Sequence, residues 1–559
     1  MVDISLLHWL SNYATHYLAC WVFTLRAAKG SALTHAELDA NFSSLQDTAN
    51  AANGDALIGV KLSATGSAAR TQHAKNADIV SVKDFGAVGD GITNDSAAIK
   101  AAMEAVQATG AKLYCPTGTY SIGTVVNPAM TADLEVECDA GANFVATAVL
   151  NNRLFFFNKT SAGDISFRWR GGRTDMSLVG LGGAGTAWDH FTVSEKFDVI
   201  RFEDVEIFSG TDYNTNHADS GIFAVGRRIS IKHCRFQGIW DAAIYLSGDS
   251  AQANGEDAVV DGCSFLKCLV GVISKRQFLR YAVANNFFDR CGTGIATGEA
   301  DTTLLAGKNN IIVGNQIVQP ASIGIQTVIS DGTIIADNRI EDQGYDLADA
   351  LVVAGSNGIR LAGSADCIVN GNWVGMRRFA TGGSGHRGIQ LERRTYNAVN
   401  YDSLRNIVAN NRIVGINVGI REEDVNQDVN RILFNVISGA TTRIVKNGAA
   451  SFYAEFNTES ANRLDLVGTV SLGGVFGSES FRVNPVVGAV DFLSVSGSTA
   501  GAPILQGIGA SANVDIRLLP KGAGVVRYGA FTVNADAPVT GYVTIKSDDG
   551  ISRKLATIA

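Results

Sequence analysis

Proline is nearly absent, with 7 residues in a chain of 559, where an average protein carries roughly 5%. Little proline beside 61 glycines suits many short strands and tight turns, and the lack of a Gly-X-Y period excludes collagen. Charged residues are also few, at 18%, while hydrophobic residues reach 46%. A chain that stays disordered has the opposite balance. Eight cysteines (Cys20, Cys115, Cys138, Cys234, Cys263, Cys268, Cys291 and Cys367) lie scattered without a CxxC pair. That spacing argues against a zinc site and against a disulfide framework, and reads as reduced thiols filling a core. No run of lysine or arginine forms a basic stripe and the net charge is −8, so no nucleic-acid partner is expected. The longest apolar and aromatic segment, residues 8–23, is too short and too interrupted to span a bilayer, which takes about 20 apolar residues. It also lacks the basic start and cleavage site of a secretory signal, and reads as a buried or partner-facing anchor with no membrane insertion.

What is present is glycine-punctuated and rich in short strands. Residues 30–53 form the first element, with Thr34 and Glu37 in capping-box spacing and Leu38, Phe42 and Leu45 on one stripe. Such a helix needs a partner for its narrow apolar face. A Gly/Ala/Ser-rich linker follows at 54–77. Residues 78–91 read as a strand running into a glycine turn, Asn94-Asp95-Ser96 opens a helix ending near Gln107, and Lys112–Cys115 is another strand before a Pro-Thr-Gly turn.

From about 130 to 440 the chain repeats itself. IKHCRF (231–236), VDGCSF (260–265), VANNFF (283–288), IVGNQI (312–317), IADNRI (335–340), VNGNWV (369–374), VANNRI (408–413) and ILFNVI (432–437) align. Their fourth residues are Cys234, Cys263, Asn286, Asn315, Asn338, Asn372, Asn411 and Asn435, in steps of 23 to 39 residues. A Gly-Ile pair follows most copies, as at Gly294-Ile295, Gly324-Ile325, Gly358-Ile359, Gly388-Ile389 and Gly419-Ile420. A solenoid of two or three short strands per turn satisfies this pattern, each strand stacked on its equivalent about 4.8 Å away. The repeated asparagine then sits at a bend, its amide bonded along the axis. A strand sandwich has no reason to place asparagine in phase turn after turn. The fold class read from these features is all-β, a parallel β-helix.

The stretch VKDFGAVGDGITNDSAAIKAAMEAV (82–106), followed by LYCPTGTY (113–120), resembles the opening segment of the pectate-lyase-like β-helix superfamily, which includes tailspikes and depolymerases of tailed bacteriophages. Residues 29–45 resemble a tail-fibre or tailspike head segment, and 513–529 and 541–558 resemble tail-fibre C-terminal modules. The resemblance implies a right-handed parallel β-helix over 78–440, carrying a glycan-binding groove. Residues 1–77 would be a virion-attachment head and linker, with a small helix. A connector at 441–467 and a β-rich trimerisation cap at 468–559 would complete the chain. The implied protein is a homotrimeric virion appendage, extracellular in action. It would be attached to a phage tail or baseplate through its N-terminal segment, and would bind and cut a bacterial surface polysaccharide. No metal or other cofactor is expected.

Chemistry would lie on the outside of the coil. With Ile inward in each Gly-Ile strand, the outward row holds Tyr245, Ile273, Lys275, Gln326, Arg360, Gln390, Glu392 and Arg421, a mixture suited to a polyhydroxylated chain. Trp240, just before the strand AAIYL, is placed to stack on a sugar face. The expected substrate-binding set is Trp240, Tyr245, Lys275, Arg276, Gln326, Arg360, His386 and Glu392, with His386 in a glycine-rich loop overhanging the groove. Glycoside hydrolysis needs two carboxyl groups, about 5–5.5 Å apart in retaining enzymes and about 6.5–9.5 Å in inverting ones. Asp241, Glu299 and Asp301 are the expected catalytic residues. The plain alternatives are a solvated sheet face and turn-capping carboxylates. The galacturonase-type Asn-Thr-Asp, Asp-Asp and Gly-His-Gly signature is not met. A lyase would instead use a base among Lys275-Arg276, Arg377-Arg378 and His386-Arg387. An endo-acting hydrolase is the first reading, a lyase the second, and a non-catalytic glycan adhesin or structural tail component the rival to both.

Overall fold

A computed structural model of the chain describes residues 29–50, 54–147, 153–160, 163–178, 189–214, 218–248, 255–276, 278–299, 307–351, 355–378, 385–448, 450–457 and 463–467, with six short strands between 470 and 558. The residues 8–23 anchor and the module at 513–529 lie outside them.

The repeated hexapeptide forms strand, two-residue bend, strand, as in Ala282–Ala284, Asn285-Asn286 and Phe287–Asp289. The first bend residue is left-handed in successive turns: Asn285 (φ 56°), Gly314 (67°), Asp337 (54°), Gly371 (70°), Asn410 (55°) and Phe434 (55°). Gly, Asn and Asp tolerate that region, which is why they mostly precede the ladder position. The second bend residue is the repeated asparagine. Nδ2 of Asn286 donates to Oδ1 of Asn315 at 3.0 Å, and the file continues through Asn338, Asn372, Asn411 and Asn435 at 2.9–3.0 Å. Each Oδ1 also accepts the backbone N–H of the preceding asparagine, as Asn372 does from Asn338 at 3.0 Å. The other amide hydrogen reaches a carbonyl, Ile312 for Asn338 at 2.9 Å. Every member is buried, so one side chain type satisfies the backbone groups that a tight bend would otherwise leave unpaired.

The strands before the bend stack in parallel as sheet one, for example Ile311–Val313 on Ala282–Ala284 and under Ile334–Ala336. Those after it stack as sheet two, and the Gly-Ile strands as sheet three. Three short strands thus make a turn. The interior is filled by Val260, Val283, Ile312, Ile335, Val369 and Val408 from sheet one, all fully buried, and by a stack of Phe236, Phe265 and Phe288 from sheet two with centroids 5.0 and 4.5 Å apart. The glycine of each Gly-Ile pair is a steric requirement. A Cβ on Gly294 would lie 2.6 Å from the Gly324 carbonyl oxygen and 3.0 Å from Ile317. A second polar file runs one position before the sheet-one strands. Asn406 donates to Asn430 Oδ1 at 3.1 Å and accepts from the Cys367 N–H at 2.9 Å.

The coil opens at Ile79–Ser81, and the helix Ser96–Thr109 lays Ile99, Ala102, Met103 and Val106 on the core. Asp95 ties the glycine turn to this helix by accepting from Val88 N–H at 2.7 Å. The connector expected at 441–467 is instead partly coil. Thr442–Val445 and Phe452–Asn457 still pair in parallel with the preceding turn, and the asparagine phase ends because Glu455 stands opposite Asn435. The chain then reverses into the antiparallel strand Arg463–Val467. A separate compact unit begins at Gly468, in which the described strands form antiparallel hairpins. Near the N-terminus, His35–Asn50 is helical, with Thr34 and Glu37 bonded reciprocally at 2.8 and 3.2 Å. Its stripe of Leu38, Phe42 and Leu45 is exposed. The seven described cysteines are buried and free, and burial pushes the Cys138, Cys234 and Cys291 thiols up, which keeps them unreactive. Among the described residues no helix is long and apolar enough to cross a membrane.

Replacing Asn338 by Ala removes the acceptor for Asn315 N–H and Nδ2 and the donor to the Ile312 carbonyl. Each buried unsatisfied group costs about 1–3 kcal/mol. Asn338→Ala is expected to destabilise the chain by about 3–5 kcal/mol in denaturant unfolding, with unchanged β content at low denaturant.

Candidate functional site

Sheet three carries the outward row that the Gly-Ile phase predicts. Register pairs Tyr245 with Ile273, Ile273 with Ala296, Ala296 with Gln326, Gln326 with Arg360, Arg360 with Gln390, and Gln390 with Arg421. These residues form one axial column, as the Gly-Ile phase requires once Ile244, Val272, Ile295, Ile325, Ile359, Ile389 and Ile420 are inward and fully buried. Ile273 and Gln390 are themselves covered, the others part-exposed.

Two groupings stand on this column. Arg360 donates through Nε to Glu392 Oε1 at 2.7 Å and through a terminal nitrogen to Gln326 Oε1 at 3.2 Å, while Gln390 bonds the other Glu392 oxygen. The carboxylate is almost closed from solvent and its charge is matched by Arg360, so this group is a braced polar platform rather than a set of open side chains. Further along the face, Lys275 Nζ stands 5.3 Å from the centre of the Tyr245 ring, itself 4.9 Å from Phe223. Arg276 follows in left-handed backbone (φ 55°).

The carboxylates do not fall as expected. Asp241 precedes Ala242, at the start of its strand, whereas Glu299 ends the strand Thr293–Glu299 two turns on and pairs with Lys275. Ser247, six residues beyond Asp241, is the position aligned with Lys275, so the two acids are offset by roughly 20 Å along the strand direction. Asp241 and Glu299 therefore cannot act as one carboxyl pair. The Glu299 side chain and all of Asp301 lie outside the described residues. His386 is a second correction. It is 1% exposed, and its Nδ1 is 2.7 Å from Ser356 Oγ. It packs under the strand start instead of overhanging the face. A glycine-rich loop suggested exposure, but the αL turn at Gly385 carries His386 back against the coil. Beside it, burial and the neighbouring Arg421 cation pull the Arg387 guanidinium below its ordinary range.

The acid one turn from Asp241 at the same strand position is Asp219. The two stand on successive turns, with Asp241 N–H donating to the Asp219 carbonyl at 3.1 Å, and Trp240, 42% exposed, is next to them. One turn earlier is Asp189, whose register partner is Ser220. Asp189 is buried, accepts from Thr192 Oγ1 at 2.6 Å and lies 3.7 Å from Arg153 Nε. Burial pushes its carboxyl up to about 6, and the negative charge of Asp219 adds to the rise. Residue Asp189 escaped the sequence reading. Its only local signal is the Trp188-Asp189 dipeptide, repeated as Trp240-Asp241. The adjacent His190 is buried between Thr174 Oγ1 (2.8 Å) and Ser209 Oγ (2.9 Å), and burial lowers it to about 3, so it is neutral.

Residues 79–344 match the family described as Rhamnogalacturonase A/epimerase, pectate lyase-like. Over these residues the chain is a parallel β-helix, the fold described above. Among individual proteins, the chain is 40% identical over 75 residues to the tail spike protein of Shigella phage Sf6, covering 13% of this chain and 12% of that one. It is 52% identical over 42 residues to mannuronan C5-epimerase AlgE1 of Azotobacter vinelandii, covering 7% and 3%. The chain thus spans a small fraction of the length of either relative. The mannuronan C-5 epimerase AlgE4 A-module of Azotobacter vinelandii superposes with a TM-score of 0.53 at 18% identity, over 67% of this chain and all of that one. That likeness is one of fold.

The Asp189 carboxyl gives a pH test. It keeps its proton in the folded chain up to about 6, while in the unfolded chain it ionises near the ordinary value of about 3.9. Folding therefore loses stability as pH rises from about 4 through 6, and the loss persists above. Asp189→Asn keeps an acceptor for Thr192 and removes the titration. Relative to wild type, the variant is expected to be about 2–3 kcal/mol more stable at pH 7.5 than at pH 4.5, read from unfolding curves at both pH values.

Proposed function

We propose that this chain is a bacteriophage tailspike that binds a bacterial surface polysaccharide along sheet three and hydrolyses it, working as a homotrimer held to the phage tail through its N-terminal segment. The observation that carries the reading is the axial column from Tyr245 to Arg421, with the acids Asp219 and Asp241 and the exposed Trp240 at its edge. A straight row that includes Tyr245, Gln326, Arg360 and Arg421 offers a sugar chain a stacking surface and hydrogen-bond partners. Similarity to a phage tail spike protein over 75 residues, and the pectate-lyase-like family match, support the same assignment.

Asp219 and Asp241 take the two carboxyl roles, one giving a proton to the leaving oxygen and the other serving the anomeric carbon. Their backbones are one turn apart, about 5 Å, which favours the retaining geometry. Asp189 is closed from solvent and acts as a positioning residue: held by Thr192 Oγ1 and beside Arg153, it fixes the strand start one turn before Asp219. Trp240 and Tyr245 stack on sugar rings, Lys275 and Arg276 meet polar or acidic substituents, and Gln326, Arg360 and Glu392 form the braced platform further along.

The test is incubation of the full chain with capsule or O-antigen from candidate hosts, followed by reducing-end assay and fragment masses. New reducing ends without the absorbance of an unsaturated uronate are expected. Asp241→Asn and Asp219→Asn should each lower kcat by about 10²–10⁴-fold with little change in KM. Binding without products from any host polysaccharide would leave a glycan adhesin, and an unsaturated product would make it a lyase.

A further inference from the structure

The strands that follow the asparagine bend carry an outward column on sheet two, and its chemistry changes along the coil. In the early turns it is a charge ladder, Arg173, Glu206 and Arg235, with Arg173 paired to Glu206 at 3.3 Å. After Ser264 the same register position holds Phe287, Gln316, Arg339, Trp373 and Arg412. Phe287 is 42% exposed, Gln316 and Arg412 are exposed, and Arg339 and Trp373 are half-buried. Sheet one differs over these turns, where its outward column is the aliphatic row Ile311, Ile334, Ile368 and Ile407. Coil formation does not ask for aromatic rings on sheet two, because Ser264 and Gln316 fill the same position in turns that fold alike.

A glycine makes room for Trp373. Two residues on, the neighbouring turns place Val318, Glu341 and Val414, but the turn of Trp373 has Gly375. A Cβ there would lie 3.0 Å from the indole Cη2 and 3.1 Å from Cζ2, so its absence lets the ring lie along its own strand. Arg339 stands with its guanidinium carbon 4.6 Å from the centre of the indole. Its Nε bonds Glu341, which Arg377 also approaches at 3.4 Å. Guanidinium, carboxylate and ring hold one another, so the platform is fixed before a ligand arrives and less entropy is lost on binding.

Sugar rings present C–H faces that stack on aromatic rings, and hydroxyls that bond planar amides and guanidinium groups. The column supplies both kinds of contact in one line. Its rings, Phe287 and Trp373, are three turns or about 14 Å apart, with Gln316 and Arg339 between them and Arg412 one turn beyond. We infer that the outer face of sheet two, from Phe287 to Arg412, is a second polysaccharide-binding strip that holds the polymer apart from sheet three. The inference rests on the reading of a polysaccharide ligand and not on the roles given to residues of sheet three. The order of the column selects that ligand. A partner of the kind that fits the isoleucines of sheet one would leave Gln316, Arg339 and Arg412 without hydrogen-bond acceptors, whereas a sugar chain offers apolar faces and oxygens in alternation. Two strips on different sheets engage one long chain at two places, so release from one leaves the polymer tethered by the other.

Hydroxyl-radical footprinting of the full chain, with and without purified capsule or O-antigen polysaccharide from candidate hosts, tests the strip directly. Oxidation of Phe287 and Trp373 is expected to slow when polymer is bound. Phe452, also 42% exposed but on sheet one, is expected to be unchanged. In a second arm, polymer affinity is measured for the wild type and for Phe287→Ser/Trp373→Gln, which introduces residue types that the same column already carries at Ser264 and Gln316. The variant is expected to bind at least about 10-fold more weakly, as the loss of two aromatic contacts gives, with unchanged far-ultraviolet circular dichroism. Polymer bound without slower oxidation at Phe287 and Trp373 overturns the inference, and so does a folded variant with wild-type affinity. The footprint, made on the unaltered chain, decides the matter if the variant fails to fold. Absence of binding to every polysaccharide removes the polysaccharide reading and this strip together. Cleavage products without protection at sheet two defeat the strip alone, and protection without products defeats hydrolysis alone.

Discussion

The bends between sheets one and two are where this fold would fail without help. A turn of two residues leaves backbone N–H groups and carbonyls pointing into a dry interior, and each would cost more than a typical hydrogen bond returns. The axial file from Asn286 to Asn435 resolves this with one side chain per turn, whose Oδ1 takes two donors from the turn before and whose Nδ2 supplies two more bonds. Because each amide answers to the turns on both sides, the file fixes register as well as satisfying the bend. A one-residue slip would break the file and turn the inward valines and isoleucines outward.

Fixed register is what gives the surface its function. Columns of outward residues exist only because equivalent positions stack, so a substitution in one turn is placed relative to the next with strand precision. Sheet three uses this to line up aromatic, amide and cationic side chains, and to set Asp219 and Asp241 on successive turns. Sheet one uses the same rule to gather aliphatic residues into a stripe. Over the turns from Ile311 to Arg421 one scaffold therefore carries a polar column on sheet three and an apolar column on sheet one, with neither intruding on the core.

Much of this was legible from residues alone. The phase of the asparagines gives the ladder, and the Gly-Ile pairs give both the inward isoleucines and the column from Tyr245 to Arg421. The second file was hidden because its positions alternate in chemistry: Asn310, Asn406 and Asn430 share it with Thr333 and Cys367. The five-residue spacing of Asn310 to Asn315, Asn406 to Asn411 and Asn430 to Asn435 was its available trace. The misplacement of Glu299 relative to Asp241 has a different origin. Periodicity says which face a residue takes, but not which end of a six-residue strand it occupies relative to a turn of variable length. His386 failed for a similar reason, since the path of a glycine-rich segment depends on where its left-handed residue falls. Asp189 was missed because its importance comes from burial and from Asp219 on the adjacent turn, neither of which has a local pattern.

Native-state hydrogen exchange of the full chain tests the central role of the amide file most directly. Peptides containing Asn315, Asn338, Asn372 and Asn411 should be the slowest to exchange and should open together, with one free energy, because each amide is held by the turns above and below. Exchange of those peptides at separate rates, no slower than strands of sheet three, would contradict the account, since it would mean that each turn stands without the file.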